Sequence, residues 1–375
     1  MIRVLHVVGS MDRGGIETFI MNMYRVIDRS KLQFDFLVNE KENAYSKEIN
    51  SLGGNIYFIP PRNKGFVAYR KNIDKFFIEN QGKFKVIHQH VSSLSSIYPL
   101  EAAKKSGIEL RIIHSHSSSM KGNKLHYLLH FYNKHKVKKI ANKYYACSDK
   151  ARHWLFNKTG CFSKSEIINN GIKVDDFAFN QKAREKSRKS LNIDENKIAI
   201  CHIGSFMKVK NHTFLLDIFK ELNKISNKYH LYLVGDGELK ESIVLKIKEL
   251  SLNNKITLLG VRGDINTLMQ GFDGLVFPSF FEGLPLTLIE AQTSSLPVFC
   301  SNTVSKMVKI TNHLEFISLK KSAKEWAEII DLKLKEYKRS DNKTKIINAG
   351  YDIIEIAHRL QEVYLNGLYL EHDDR

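Results

Sequence analysis

Apolar residues in the first half of the chain gather into short blocks at positions 2–8, 34–38, 55–59, 86–90, 111–115 and 144–148. Blocks that short with little polar alternation predict strands buried on both faces, the signature of parallel pairing. Helix-length segments separate most of them, and residues 16–27 carry apolar positions at helical spacing. Strand and helix in alternation predict an α/β domain with an open parallel sheet.

The pattern then restarts. Strands are expected at 198–204, 230–235, 255–259, 274–277 and 297–300, with helices at 211–224, 238–249, 265–270 and 285–293. Between the two series lies a stretch rich in Asn, Gly and Asp, 167–177, followed by a charged helix at 182–191. The hinge is placed near 169–173. The domains expected are therefore 1–169, 170–345 and a closing helical segment, 346–375, with no strand of its own, expected to pack back on the first domain. Two doubly wound domains direct their strand ends toward a shared cleft, and such a cleft implies a two-part substrate.

Composition adds a charge asymmetry. The chain of 375 residues has 58 Lys plus Arg against 40 Asp plus Glu. Residues 1–170 hold 28 basic and 13 acidic side chains, a net of +15, while the remainder is nearly neutral. No acid occurs from Leu110 to Ser148, a span that carries Lys121, Lys124, Lys134, Lys136, Lys138 and Lys139. Such a patch suits an anionic surface. Over 124–143, Leu125, Leu128, Leu129 and Tyr132 share one helical face, as in a helix lying on a membrane, or else one packing that stripe on its own domain with the lysines outward. Aromatic stacking platforms and nucleic-acid modules are missing, so nucleic acid is not an expected partner. Four scattered cysteines suggest neither a disulfide framework nor a zinc site, and no run reaches the ~18 apolar residues of a spanning helix. A soluble or surface-held protein is expected.

The candidate chemistry sits on loops that follow strands. Gly14 and Gly15 open the first helix, where backbone N–H groups and the helix dipole suit an anion; a tight turn would use the same glycines. Gly204 and Ser205, then Lys208 and Lys210, open another helix and suit a pyrophosphate, a solvated lysine pair being the plainer reading. The sequence EGLPLTLIEA holds Glu282 on a loop, a turn at Gly283 and Leu284, and Glu290 about two turns into a helix. Carboxylates so placed accept hydrogen bonds from hydroxyl groups, although Glu282 could equally complement a helix dipole.

These last residues resemble the E-x7-E motif of retaining glycosyltransferases with the GT-B fold, two Rossmann-like domains, and specifically glycosyltransferase family four. The likeness extends over the chain through the Gly14-Gly15 loop with Glu17, IIHSHSSS, YYACSDKARHWL, IINNGIKVDDF, KNH and GDGEL. It is strongest toward capsular and exopolysaccharide enzymes. The resemblance implies sugar transfer from a nucleotide donor, usually a UDP-sugar, with retention and no required metal or other cofactor. It implies an undecaprenyl-diphosphate-type lipid-linked acceptor and a cytoplasmic protein peripheral at the inner membrane face. Carried over, Glu290 would hold ribose hydroxyls, Glu282 the donor sugar, and Gly14, Gly15 and Lys210 the diphosphate. His116 resembles the first-domain histidine that approaches the donor sugar, with His114 the competing assignment. The family commonly has Arg at the position of Ser205, so Lys208 or Arg262 would have to help neutralise the diphosphate. The rival expectations are a non-catalytic polyanion or nucleic-acid binder on the same fold, and a nucleotide-sugar epimerase.

Overall fold

The structure, a computed structural model, describes residues 1–12, 14–120 and 122–367. The chain divides into two compact units, Met1–Gly171 together with the segment from Asp352, and Ile172–Tyr351.

The first unit is built on seven parallel strands, β1 (Ile2–Val7), β2 (Leu32–Val38), β3 (Ile56–Phe58), β4 (Val86–Val91), β5 (Leu110–Ser115), β6 (Lys143–Ala146) and β7 (Glu166–Ile167), in the order β3-β2-β1-β4-β5-β6-β7. Helices cover both faces. Those at Phe66–Glu79, Tyr98–Lys105 and Asp149–Phe156 bury Ile73, Phe76, Leu100 and Leu155 against one face, and Gly15–Val26 buries Phe19, Ile20 and Met23 against the other. The helix Ile353–Asn366 shares that second core through Ile353, Ile356, Leu360 and Tyr364.

The second unit repeats the plan with β8 (Ile198–Ile203), β9 (Tyr229–Val234), β10 (Ile256–Gly260), β11 (Gly274–Phe277), β12 (Val298–Ser301) and β13 (Leu314–Ile317), ordered β10-β9-β8-β11-β12-β13, again all parallel. In both sheets the order reverses beside the first strand. These reversals, β1 beside β4 and β8 beside β11, open crevices at the strand carboxyl ends where ligands of such sheets bind.

Three expectations change. The closing segment is not one helix over 346–375: it breaks at Gly350, whose φ of 76° ends the helix Lys343–Asn348. Ile346 and Tyr351 then belong to the second core and Ile353 to the first, while positions 368–375 lie outside the described residues. Strands β7 and β13 are additions, too short or too polar to stand out as apolar blocks. So is the helix Ala323–Glu336, which a capping box of Ser322 and Glu325 announces. No helix among the described residues is long and apolar enough to cross a membrane.

Candidate functional site

In the second unit the loops after β8 and β11 meet at the reversal point. Gly204 follows the end of β8, and Ser205 beside it is exposed on the turn. A short 3-10 turn, Lys208–Lys210, leads to Asn211, left-handed at φ 57°, whose side-chain amide donates to the Pro278 carbonyl (3.1 Å) and ties this loop to the one after β11. The Phe280 amide closes the second tie on the Val209 carbonyl (2.9 Å). The Lys210 stem crosses Gly204, so an added Cβ would come 3.2 Å from Cε and press the lysine aside. Gly235, at φ 139°, allows the next loop to approach until a Cβ there would strike the Gly204 carbonyl.

Those ties bring together two residues 72 positions apart. Lys210 Nζ lies 2.7 Å from Glu282 Oε1, with both side chains less than a fifth exposed, and 4.7 Å from the centre of the Phe277 ring. Lys210 therefore does not stand as an isolated cation. Its ammonium has three donors, so one can stay on Glu282 while others serve phosphate oxygens. The helix His212–Ile225 starts here with no side-chain cap, leaving first-turn N–H groups for an anion. Gly283 is exposed, Leu284 half-buried, and Leu286–Thr293 begins with an uncapped end of its own.

Glu290 lies on that helix among buried neighbours. Burial alone pushes its carboxyl up to about 7, with no charge or hydrogen bond offsetting it among the described residues. An acid so raised is poised to ionise when hydroxyl donors arrive. Arg262, by contrast, is bidentate on Asp264 at 2.8 and 2.7 Å, largely in solvent. Lys208 is exposed. The helix His212–Ile225, which opens after the Ser205 turn, has first-turn N–H groups free of any side-chain cap. Sequence reading also passed over His202, one residue before the strand end at Ile203. Its Nδ1–H donates to the Val276 carbonyl (2.9 Å), and its unpartnered Nε2 lies 3.5 Å from where a Gly204 Cβ would be.

The first unit holds Gly14, Gly15 and His116. Gly14 caps the helix Gly15–Val26 without a side-chain bond, and a Cβ there would collide with the Glu17 carboxylate. Burial raises Glu17, with Asp12 and Glu40 adding repulsion. His116 follows β5 and is half-buried, while His114 is fully buried within the strand. A cavity of 200 Å³ at the carboxyl ends of β1 and β4 is lined by Gly9, Asn39, Gln89 and His90. A 670 Å³ cavity in the second unit involves none of these residues; it lies at the amino ends of β8 and β9, around Arg184, Tyr229 and Arg339.

The basic helix differs from one of its expected forms. Lys124–Lys134 does not turn its apolar stripe inward. Leu125, Leu128, Phe131 and Tyr132 are each more than half exposed, and Leu129 is half-buried. The buried face is polar: His130 Nδ1 accepts from the Leu94 amide (3.0 Å), and the Asn133 amide donates to the Leu94 carbonyl (2.7 Å). Trp154 stacks on His130 with centroids 4.4 Å apart. The lysines are not one uniform patch either. Lys124, Lys138 and Lys139 are exposed, Lys136 faces Glu101 at 3.8 Å, and Lys134 donates to the Trp154 and Asn157 carbonyls. Lys121 lies outside the described residues.

Two parallel doubly wound units, the second bearing an E-x7-E helix and a lysine loop at its reversal point, define a GT-B glycosyltransferase. Comparison with known proteins agrees: residues 13–176 match the family model "Glycosyltransferase Family 4" and residues 183–352 match "Glycosyl transferases group 1". The chain belongs to glycosyltransferase family four, and the polyanion-binder and epimerase readings fall away. It is similar to EpsF of Bacillus subtilis (strain 168), provisionally named a glycosyltransferase, at 33% identity over 96% of each chain. The capsular polysaccharide biosynthesis glycosyltransferase CapH of Staphylococcus aureus is 25% identical over 98% of this chain and 99% of its own. Among solved structures, Anabaena Alr3699/HepE in complex with UDP has the same fold, with a TM-score of 0.76 at 18% identity over 98% of this chain and 100% of its own.

Proposed function

We propose that this chain is a retaining transferase that moves a sugar from a UDP-sugar to a lipid-diphosphate-linked acceptor at an anionic membrane surface. The observation that carries the reading is the juxtaposition of Lys210, Glu282 and the uncapped helix His212–Ile225 at the second sheet's reversal point, with Glu290 on the neighbouring helix. In this reading the ribose diol donates to Glu290 and the sugar hydroxyls to Glu282. Lys210, Gly14, Gly15 and helix amides hold the diphosphate, and His116 contacts the sugar. Negative charge grows on the diphosphate as the glycosidic bond breaks, and donors already aimed there lower the barrier without reorganising. Ser205 leaves room beside the phosphates, Gly283 and Leu284 offer backbone to the donor, and Arg262 reaches it only by releasing Asp264.

Relatives support the donor and acceptor classes. HepE is known with UDP and with UDP-glucose. An Escherichia coli relative, 25% identical over 54% of this chain, is a UDP-Gal:alpha-D-GlcNAc-diphosphoundecaprenol alpha-1,3-galactosyltransferase. The exposed face of Leu125, Leu128, Phe131 and Tyr132, flanked by Lys124, Lys138 and Lys139, fits a lipid surface. Beside it lies a 210 Å³ cavity where Arg62 and Arg70 would meet an anionic head group, with Lys136 facing Glu101 in the same lining.

The test is transfer from a panel of nucleotide sugars to vesicles carrying a polyprenyl-diphosphate sugar. One UDP-sugar should label the lipid, with vesicle binding that rises with anionic lipid and falls with salt. Leu128→Asp together with Phe131→Asp should lower vesicle partitioning by at least ~10-fold, since each side chain buries ~1.5–3 kcal/mol of apolar transfer energy. Transfer from no UDP-sugar, or partitioning indifferent to the double substitution, contradicts the corresponding half of the proposal.

A further inference from the structure

Strand register in the first unit assembles a feature that no single stretch of sequence displays. His6 on β1 is paired with His88 on β4, and His90 on β4 with His114 on β5. Their even spacing along the strands puts all four on one face of the sheet. His116 joins them just past β5, where its amide donates to the Val91 carbonyl. The imidazoles form two files. In one, His6 Nδ1 is 3.0 Å from His90 Nε2, and His90 Nδ1 is 2.9 Å from His116 Nε2. In the other, Tyr364 Oη is 2.7 Å from His88 Nδ1, and His88 Nε2 is 3.3 Å from His114 Nδ1. The files stack, with centroids 4.2 Å apart for His88 on His90 and 4.0 Å for His114 on His116. Phe19 and Phe34 close the layer.

Burial keeps these rings neutral: His6 and His116 are pushed down to about 3, and His88, His90 and His114 well below the ordinary histidine value. A neutral imidazole has one N–H and one lone pair. Because His90 uses both nitrogens on other imidazoles, all bonds of its file point the same way. Three N–H groups then fill two internal bonds and leave one proton at an end, either His6 Nε2 or His116 Nδ1. Both end atoms are shielded from solvent and without a hydrogen-bond partner among the described residues. Neither end has an acceptor for an N–H among the described residues, but His6 is fully buried within β1 beside the rings of Phe34 and Phe36, whereas His116 is a half-buried residue on the loop just past β5, the one end at which a bound ligand can supply an acceptor. Buried donors are orphaned less readily than acceptors.

We infer that His6 and His90 are positioning residues that fix His116 in the Nδ1–H tautomer, so that His116 offers the donor sugar a hydrogen-bond donor and not a base. This rests on the reading of His116 as a sugar contact. The same histidines form two triads geometrically open to a metal ion, His6–His88–His90 and His90–His114–His116. No carboxylate belongs to either triad, so a divalent ion would carry uncompensated charge among aromatic rings, and the 2.9 and 3.0 Å separations are those of hydrogen bonds.

The test is the long-range proton–nitrogen spectrum of the whole chain labelled with ¹⁵N-histidine. His116 should show a pyrrole-type Nδ1 and a pyridine-type Nε2, and His90→Phe, which keeps a ring but removes both bonds, should return it to a tautomer mixture. His6→Phe is the second variant and should loosen the preference in the same direction. On a UDP-sugar that the wild type turns over, His90→Phe should lower kcat by ~10-fold with donor KM little changed, and His90→Gln, whose amide can both donate and accept, should restore part of it. An Nε2–H His116, a tautomer unmoved by both variants, or stoichiometric Zn²⁺ bound at His90, His114 and His116 would overturn the inference. If His116→Ala turns over donor like the wild type, the role of His116 at the sugar fails while the tautomer result stands on its own.

Discussion

Glu290→Gln should melt several degrees above the wild type at pH 8 and almost together with it at pH 4.5. The sign follows from the direction of the shift. Burial raises the carboxyl of Glu290 to about 7 in the folded chain, above its ordinary value of 4.5. The protonated form is thus favoured by folding, and holding the ionised form folded costs stability that grows as pH rises from about 4.5 through 7 and then levels. Glutamine mimics the protonated acid at every pH, so it escapes that cost, on the order of 3 kcal/mol at the plateau. The same substitution should weaken UDP binding by ~10- to 150-fold, the worth of a hydrogen bond to a charged acceptor. A residue whose removal strengthens the fold while weakening the ligand is a functional one. Differential scanning calorimetry across this pH range decides the first part; a variant less stable than wild type at pH 8 would show that Glu290 is a structural partner.

The second large effect is expected at Lys210. Lys210→Met preserves the stem that crosses Gly204 and lies over Phe277, but removes the ammonium 2.7 Å from Glu282. It should lower kcat by ~10²- to 10³-fold, the usual effect of deleting one donor aimed at developing negative charge. Glu282 is left less than a fifth exposed and unpaired, so Lys210→Met paired with Glu282→Gln separates the two contributions. The double variant should recover stability and no activity. Recovery of turnover in the double variant would mean that Lys210 only balances Glu282.

The sequence carried most of both sheets and half of the candidate site. Strands buried on both faces are visible as apolar runs, and the E-x7-E frame is contiguous, so Glu282 and Glu290 could be named from spacing. What escaped depends on contacts between distant residues. The histidine layer requires the register of β1, β4 and β5, which no local pattern encodes. Lys210 looked like a lone phosphate ligand because Glu282 lies 72 positions away. For the helix Lys124–Lys134 the sequence left both faces open, and the face turned inward is the one whose His130 and Asn133 meet the N–H and C=O of Leu94. Arg262 was available on paper until Asp264, two residues on, engaged its Nε and Nη2 in a bidentate pair.

The central claim is that the unit Ile172–Tyr351 of this family-four glycosyltransferase binds the nucleotide through Glu290. Calorimetric titration with UDP tests it most directly, at pH 6, 7 and 8, on wild type and Glu290→Gln. Wild-type affinity should rise by several-fold to ~10-fold from pH 6 to 7 and level above, with protons released at pH 6, because the carboxylate must ionise to accept the ribose hydroxyls. Glu290→Gln should bind weakly and without that pH dependence. UDP binding that is indifferent both to pH and to the substitution would contradict the account.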